Sequence, residues 1–194
     1  MIYYLLGKSC SGKDTIYKRL KALKPEWLEV TRYTTRPIRD GETDGDAYFF
    51  IDDQKLESLE KAGKVIEMQT YQTVYGPWKY ATIDDGQINR TSGKDYLMIG
   101  VLTSYVGTRD YFGRDYVTPL YIEVPDEIRL ARAEAREMTQ KVPKLAEMHR
   151  RFQADQKDFS EENLRAAGIT RRYQNLDLDK CIDEIIKNTG KSNI

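Results

Sequence analysis

A phosphate-binding loop is indicated by the segment Gly7-Lys8-Ser9-Cys10-Ser11-Gly12-Lys13, which has the spacing G-x-x-x-x-G-K. Glycines let backbone N–H groups turn toward a phosphate, and the lysine neutralises the outer phosphates. The apolar residues 2–6 predict a strand before the loop, and the apolar positions 16, 20 and 23 predict a helix after it. This context favours ATP binding over a ligand-free turn. The predicted ATP-binding residues are Gly7, Lys8, Ser9, Cys10, Ser11, Gly12, Lys13, Asp14 and Thr15.

The position after Lys13 bears on how magnesium is held. Phosphate loops usually have Ser or Thr there, with a hydroxyl that ligates Mg²⁺, whereas this chain has Asp14 followed by Thr15. A carboxylate can also ligate Mg²⁺, although it repels nearby phosphates. Either Asp14 or Thr15 is therefore expected to hold the Mg²⁺ that accompanies ATP. Alternatively, Asp14 is only a first-turn acid favoured by the helix dipole.

A second anion site is indicated by the segment that covers residues 34–48. It contains Arg36 and Arg39, three residues apart, together with threonines and Tyr48. Arginine forks chelate phosphate, and a phenol adds one more donor. A charged loop alone is more typical of a solvated surface. Beside a phosphate loop, it predicts an enzyme that transfers a phosphoryl group between two phosphate sites.

The elements that must position these residues follow an α/β pattern. A strand at 28–32 is predicted, followed by an insert at 33–90 with its own small sheet, in which a helix begins at Asp52 or Asp53 and ends near Lys61. Within the insert, residues 65–71 and 80–83 alternate like antiparallel strands. The nearly continuous apolar runs predict core strands at 96–102 and 118–124. The rest of the chain is predicted to form helices at 125–137, 144–158, 160–168 and 177–188 and a strand at 169–174.

Composition excludes several classes of protein. The 194 residues carry 31 Lys and Arg against 31 Asp and Glu, which argues against a nucleic-acid-coating protein. Cys10 and Cys181 form no ligand-type pair, so a disulfide framework or a zinc site is not expected. The sequence has no apolar run long enough to cross a membrane and no signal-peptide pattern. We therefore expect a cytoplasmic protein with neither membrane nor polynucleotide partners.

The order of motifs resembles the guanylate kinase family over about residues 2–188. The phosphate loop is followed by T-T-R-x-x-R-x-x-E-x-D-G-x-x-Y, V-I-E and Y-G. The resemblance implies a P-loop kinase fold: a parallel sheet flanked by helices, a small mixed or antiparallel acceptor-binding insert, and a lid. It implies one domain over 1–194, with its core at 1–32, 91–136 and 151–194, the insert at 33–90 and the lid at 137–150. The implied reaction is phosphorylation of a nucleoside monophosphate, GMP first, by ATP with Mg²⁺, in a monomer or homodimer.

The same resemblance assigns roles residue by residue. The acceptor site would comprise Thr35, Arg36, Arg39, Glu42, Tyr48, Glu67 and Tyr75. Glu67 matches the carboxylate that accepts hydrogen bonds from guanine N1–H and the amino group. The implied catalytic residues are Lys13, Arg132, Arg136 and Arg151, with Asn175 near the donor adenine. Insert and lid are expected to close on the substrates and exclude water.

This chain departs from the family pattern mainly where the family reads the base. The serine before T-T-R is replaced at Arg32-Tyr33, and the serine after Y-G is Pro77. The D-I-D strand end is Ile99-Gly100-Val101, and the lid lacks its Gly-Thr-Asp type of turn. The phosphate-holding residues are kept, while the base-reading residues are reduced to Glu67. Two alternatives stay open: a related kinase for another nucleotide or a ribose bisphosphate, and a non-catalytic domain that binds a phosphorylated peptide.

Overall fold

The protein is an α/β fold of two sheets and their flanking helices. It is described by a computed structural model that covers residues 1–73, 75–140 and 143–190. The strands are β1 (Ile2–Leu6), β2 (Leu28–Glu29), β3 (Arg32–Thr34), β4 (Tyr48–Phe50), β5 (Val65–Thr73), β6 (Gly76–Ile83), β7 (Tyr96–Gly100), β8 (Val117–Glu123) and β9 (Arg172–Gln174). The helices are α1 (Lys13–Leu23), α2 (Asp53–Lys61), α3 (Leu102–Phe112), α4 (Asp126–Met138), α5 (Leu145–Asp158), α6 (Glu161–Ala166) and α7 (Leu178–Thr189).

The larger sheet has the strand order β2-β7-β1-β8-β9. The pairs β2/β7 and β8/β9 are parallel, as the alternation of strands and helices predicts. All five residues of β1 are buried, because a strand of a parallel sheet is covered on both faces. The carboxyl end of β1 leads directly into the phosphate loop.

The smaller sheet is mixed and has the order β4-β3-β6-β5. Strands β3 and β4 are parallel, whereas β6 is antiparallel to both β3 and β5. Its core is formed by Leu56, Ala81 and Ile83. Helix α2 begins after Asp52, whose carboxylate accepts a hydrogen bond from the Lys55 N–H at 2.7 Å. The predicted antiparallel hairpin of the insert is confirmed.

The contacts divide the chain into two compact units. Unit 1 comprises residues 1–2, 26–98 and 103–118, and unit 2 comprises residues 3–25, 99–102 and 119–194. All predicted acceptor residues belong to unit 1, and all predicted donor residues belong to unit 2. The division into core, insert and lid at the boundaries given above stays a prediction.

The structure differs from the sequence prediction in the strand at 28–32 and in helix α3. The strand predicted at 28–32 is two strands, because the chain leaves the larger sheet after Glu29 and enters the smaller sheet at Arg32. Helix α3 was not predicted, since its sequence mixes polar and apolar residues and buries Ser104 and Thr108. None of the helices that the structure describes is long and apolar enough to span a membrane.

Candidate active site

The phosphate loop follows β1 and ends at the first turn of α1. Gly12 caps this helix with φ of 86°, in the left-handed region that favours glycine. A Cβ on Gly12 would lie 2.3 Å from Asn175 Nδ2, and a Cβ on Gly7 would lie 2.6 Å from the Ile122 carbonyl oxygen. The left-handed backbone therefore requires glycine at position 12, and close packing against backbone requires it at position 7. Ser11 is buried, and its hydroxyl has no hydrogen-bond partner within the described part of the chain.

Residues distant in sequence hold the loop in place. Asn175 Nδ2 donates to the Ser11 carbonyl oxygen at 2.7 Å, so this side chain positions the loop. The Ser9 N–H donates to Asp155 Oδ2 at 2.7 Å, and the Ser9 carbonyl accepts from Arg129 Nη1 at 2.9 Å. Both polar groups of the Ser9 backbone are thus fixed by charged side chains of α4 and α5.

Lys8 and Arg129 belong to one polar network beside the loop. Lys8 Nζ donates to Gln156 Oε1 at 2.5 Å, and Arg129 Nη2 donates to Asp126 Oδ1 at 2.6 Å. The pKa of Asp126 is lowered: burial opposes this, but hydrogen bonds from Arg129 and Gln156 outweigh it. The network engages Lys8 with Gln156 and Asp126, whereas Lys13 Nζ lies 3.8 Å from Asp14 Oδ2.

Asp14 and Thr15 begin α1, where both are exposed. The Asp14 side chain is 81% exposed, and Oδ2 lies 3.8 Å from Lys13 Nζ. Mg²⁺ commonly takes one or two protein carboxylates together with phosphate oxygens and waters, so an exposed carboxylate beside the loop lysine fits it. Within the described residues, no group of three or more His, Cys, Asp or Glu forms a metal site. The choice between Asp14 and Thr15 stays a prediction.

The three predicted catalytic arginines lie in unit 2, on α4 and α5. Arg136 and Arg151 line one small cleft together with Ser9 and Cys10 of the phosphate loop. Arg132 Nη2 donates to the Asn175 carbonyl at 3.2 Å. Arg151 is about half exposed, with Nε 3.7 Å from the Glu147 carboxylate. The fold therefore brings cationic side chains to the loop where transferred phosphate charge would need neutralisation.

Arg36 is the centre of the predicted acceptor-phosphate site in unit 1. It is only 3% exposed, and its fork donates to both Glu42 oxygens, at 3.0 and 2.8 Å. Its guanidinium carbon also lies 5.8 Å from the Tyr48 ring centroid and 5.2 Å from that of Phe50. The hydrogen bonds between Arg36 and Glu42 raise the pKa of the guanidinium and lower the pKa of the carboxyl. The Arg36 guanidinium is thus held by Glu42 and packs against the two aromatic rings.

Thr35 and Arg39 flank this pair. The Thr35 N–H donates to the Lys79 carbonyl, and the Thr35 hydroxyl accepts from the Lys79 N–H, both at 3.0 Å. Thr35 therefore ties β6 to the acceptor loop. The Arg39 N–H donates to Glu42 Oε2 at 2.8 Å, while the Arg39 side chain is exposed. Arg39 is consequently the arginine of this loop that a ligand can reach without displacing a buried ion pair.

Tyr75 lies at the tip of the β5–β6 hairpin. Its side chain is 82% exposed and stacks on Trp78, with ring centroids 6.2 Å apart and planes at 9°. Its predicted contact with the acceptor phosphate stays a prediction, since in this structure its ring faces Trp78 and solvent.

Glu67 is buried on β5, and its surroundings were not foreseen from the sequence. Its Oε1 accepts from Arg32 Nη2 at 2.6 Å and from the Thr82 hydroxyl at 2.6 Å. Arg32 Nη2 also donates to Ser104 Oγ on α3 at 3.1 Å. Arg32, noted above as a departure from the family pattern, is thus the ion-pair partner of Glu67, the predicted base-reading residue.

Sequence reasoning missed Thr82 and Ser104 around Glu67, and Arg129 and Asp155 around Ser9. None of them belongs to a motif. Arg129 stands on a helix whose charged residues are mostly solvated, and only its burial in the folded chain distinguishes it.

Parts of the chain are similar in sequence to known proteins. The family model described as guanylate kinase matches residues 2–96. The guanylate kinase of Thermobifida fusca (strain YX) is 45% identical over 64 residues, which cover 32% of this chain and 32% of that protein. The guanylate kinase of Legionella pneumophila (strain Lens) is 33% identical over 89 residues, covering 46% of this chain and 40% of that protein. The matches thus span about a third to two fifths of these relatives' own length.

The fold is also similar to a solved structure. The crystal structure of guanylate kinase from Anaplasma phagocytophilum superposes with a TM-score of 0.70 at 18% sequence identity. The superposition covers 100% of this chain and 86% of the other. This likeness confirms the predicted α/β fold with a parallel sheet, helices on its faces and a second mixed sheet.

Proposed function

We propose that this chain, which belongs to the guanylate kinase family, is a nucleoside monophosphate kinase that uses ATP as phosphoryl donor. GMP is the acceptor that the family resemblance favours. The relatives named above are called guanylate kinases, but the matched stretch is only a part of each.

One observation carries the proposal: the phosphate loop has the backbone that a nucleotide needs. Gly12 lies in the left-handed region at the start of α1, and a side chain at Gly12 or Gly7 would collide with its neighbours. A loop with this backbone is suited to hold a phosphate at the N-terminus of α1, with Lys13 beside it. A ligand-free turn would not need both constraints together with the lysine.

The proposed reaction is an in-line transfer of one phosphoryl group. An oxygen of the acceptor monophosphate attacks the γ-phosphorus of ATP, and the bond from that phosphorus to the β,γ-bridging oxygen breaks. The electron pair of the broken bond leaves with ADP. The acceptor phosphate is a dianion near neutral pH, so no protein base has to remove a proton. Positioning and charge neutralisation are what the protein must supply.

The residues of this chain divide that task. Lys13, Arg136 and Arg151 neutralise charge at the donor phosphates, and Arg132 and Asn175 hold the loop and its neighbouring segment. Arg36, Arg39 and Tyr48 bind the acceptor phosphate, and Glu42 aligns the Arg36 fork. Asp14 or Thr15 would hold the magnesium that enters with ATP, and the ion would neutralise phosphate charge during the transfer.

The first test is Lys13→Ala in an assay that couples ADP release to NADH oxidation, with GMP, AMP, UMP and CMP as acceptors. Loss of this cation should lower kcat by about a hundredfold or more while the fold is retained, because it deletes a transition-state contact and no core volume. Lys18→Ala is the matched control, since Lys18 is exposed on the same helix. A Lys13→Ala enzyme with activity within a few-fold of the parent would refute the assignment of the loop.

The second test concerns the acceptor site and uses Arg39→Ala. Arg39 is exposed, so this variant does not disturb the Arg36–Glu42 pair as Arg36→Ala would. Loss of a charge-assisted contact should raise the acceptor KM by roughly ten- to a hundredfold and leave the ATP KM within a few-fold. An equal loss for ATP would mean that the two phosphate sites are assigned the wrong way round. A ribose bisphosphate included in the panel tests the alternative acceptor class.

A further inference from the structure

Four polar side chains form one buried group in unit 1: Arg32 of β3, Thr82 of β6, Glu67 of β5 and Ser104 of α3. We refer to them as the Arg32–Glu67 cluster. Glu67 lies opposite Thr82 in the strand register, and the neighbouring pair is Tyr33 with Ala81. The cluster therefore crosses three adjacent strands. The Arg32 and Glu67 side chains are only 10% and 4% exposed.

The two oxygens of Glu67 differ sharply in their surroundings. Oε1 already accepts two hydrogen bonds of 2.6 Å, from Arg32 and from Thr82. Oε2 is buried and has no hydrogen-bond partner in the described part of the chain. A buried carboxylate oxygen without a donor is costly, so Oε2 is suited to accept an N–H from a ligand.

Helix α3 fixes the cluster from one side. A Cβ on Gly107 would lie 2.6 Å from the Glu67 Cβ, so the helix backbone packs directly against the stem of the glutamate. Ser104, one turn earlier on α3, accepts from Arg32 at 3.1 Å. The Arg32–Glu67 ion pair is consequently fixed by contacts to both of its side chains, unlike an ion pair between two flexible side chains on the surface.

The cluster and the acceptor-phosphate residues share one face of the chain. Burial alternates from Arg32 to Arg36: residues 32, 34 and 36 are buried, while residues 33 and 35 are half-buried. An acceptor with its phosphate at Arg36 and Arg39 could therefore extend its other end along this face toward Glu67. That end is the base of a nucleotide.

Resting on the proposed function, we propose that Arg32 is a specificity-determining residue that stops this kinase from singling out guanine. Guanine offers two neighbouring donors, N1–H and the amino group, and a carboxylate recognises both only with one oxygen for each. Arg32 and Thr82 occupy one of those oxygens, and Arg32 cancels the charge of Glu67. The two parallel N–H groups of guanine cannot both point at one oxygen with good geometry, so Oε2 takes a single N–H, which adenine, cytosine and uracil also offer. The substrates are thus purine and pyrimidine nucleoside monophosphates alike.

The wild-type enzyme provides the first test, because it needs no substitution. kcat/KM is measured for GMP, AMP, UMP and CMP at saturating ATP. One charge-assisted hydrogen bond corresponds to roughly ten- to 150-fold in affinity, so a site without the second bond should prefer GMP by less than about tenfold over the best other acceptor. A larger preference for GMP would overturn this inference and leave the kinase assignment intact. No transfer to any of the four would overturn the proposed function as well.

Variants then test whether Arg32 is the cause. Arg32→Ser removes one of the two donors to Oε1 and restores the charge of Glu67, so that Oε1 can accept a second guanine N–H and the GMP-to-AMP ratio of kcat/KM should rise at least about tenfold. Arg32→Lys keeps a cation beside Glu67 and is the matched control, with a ratio within about threefold of the wild type. If the GMP-to-AMP ratio of kcat/KM does not rise in Arg32→Ser, or rises equally in Arg32→Lys, the proposed role of the Arg32 cation is refuted.

Glu67→Gln covers the case in which Arg32→Ser does not fold, which circular dichroism would reveal. If all acceptors use the same single bond to Oε2, this variant should lower kcat/KM for GMP and AMP by similar factors, within about threefold of one another. A selective loss for GMP of a hundredfold would show that Glu67 reads two guanine donors and would contradict the inference.

Discussion

Replacement of Arg129 by methionine would test how the phosphate loop is held. Arg129 is fully buried on α4, and its guanidinium carbon lies 4.5 Å from the centroid of the Phe152 ring. Nη1 donates to the Ser9 carbonyl at 2.9 Å and lies 3.6 Å from Asp155 Oδ2. Nη2 donates to Asp126 at 2.6 Å. Methionine keeps an unbranched apolar stem against Phe152 and removes every one of these donors.

The magnitude follows from how exposed each partner is. The Asp126 side chain is 46% exposed, so its bond is screened by water and contributes at the low end, under about 1 kcal/mol. The contacts to Ser9 and to the largely buried Asp155 contribute more, since a charge-assisted bond is worth about 1.5–3 kcal/mol. We expect Arg129→Met to lower the free energy of unfolding by about 2–4 kcal/mol. For a chain of this length that is a fall in Tm of roughly 5–15 °C.

Nucleotide binding should weaken together with stability, because Ser9 loses one of the two side chains that fix its backbone. We expect Kd for ATP, measured by titration calorimetry with Mg²⁺ below the Tm of the variant, to rise several-fold while the acceptor Kd stays unchanged. Arg172→Met is the matched control: Arg172 also pairs with two carboxylates, Glu123 and Glu161, but is 31% exposed. It should lower Tm by less than about 3 °C. An Arg129→Met protein with wild-type Tm and wild-type ATP affinity would refute this reasoning.

Three further predictions follow from packing and protonation. Gly107→Ala should lower Tm although alanine favours helix by about 1 kcal/mol, because its Cβ would lie 2.6 Å from that of Glu67; a raised Tm would contradict the close approach. Glu42→Gln should unfold at lower urea than the wild type at pH 7. Because Arg36 lowers the pKa of Glu42, that difference should shrink as the pH falls below the ordinary value of 4.5 and vanish once the pH lies below the lowered pKa, and a constant difference would exclude this linkage. Burial raises the pKa of Cys181 to about 11, so a Cys10→Ser variant, which lacks the partly exposed thiol, should resist Ellman's reagent at pH 8 until urea unfolds the chain; rapid labelling of the folded variant would show that Cys181 is accessible.

The helices and strands that could be predicted are those with a regular local signal. Helix α2 begins at a capping aspartate, α6 begins after Ser160, and β1 is a continuous apolar run, so each is encoded within a few neighbouring residues. Helix α3 escaped prediction because its polar residues face the interior, where Ser104 and Thr108 are buried. Hydrophobic periodicity predicts that polar residues such as these face solvent. Their burial is explained by the Arg32–Glu67 cluster, against which α3 packs.

The sequence by itself is enough to predict the two candidate phosphate sites, because each is a short contiguous segment. The glycines and the lysine of the segment from Gly7 to Lys13 mark the loop by their spacing, and the segment from Thr34 to Tyr48 carries its cations within a few residues. Tertiary structure alone decided what surrounds them. Arg32 meets Glu67 because three strands align in one register, and Arg129 meets Ser9 across 120 positions of chain. Such contacts depend on strand register and on helix packing, which are set by the whole fold. They therefore cannot be predicted from the composition of the chain or the spacing of its residues.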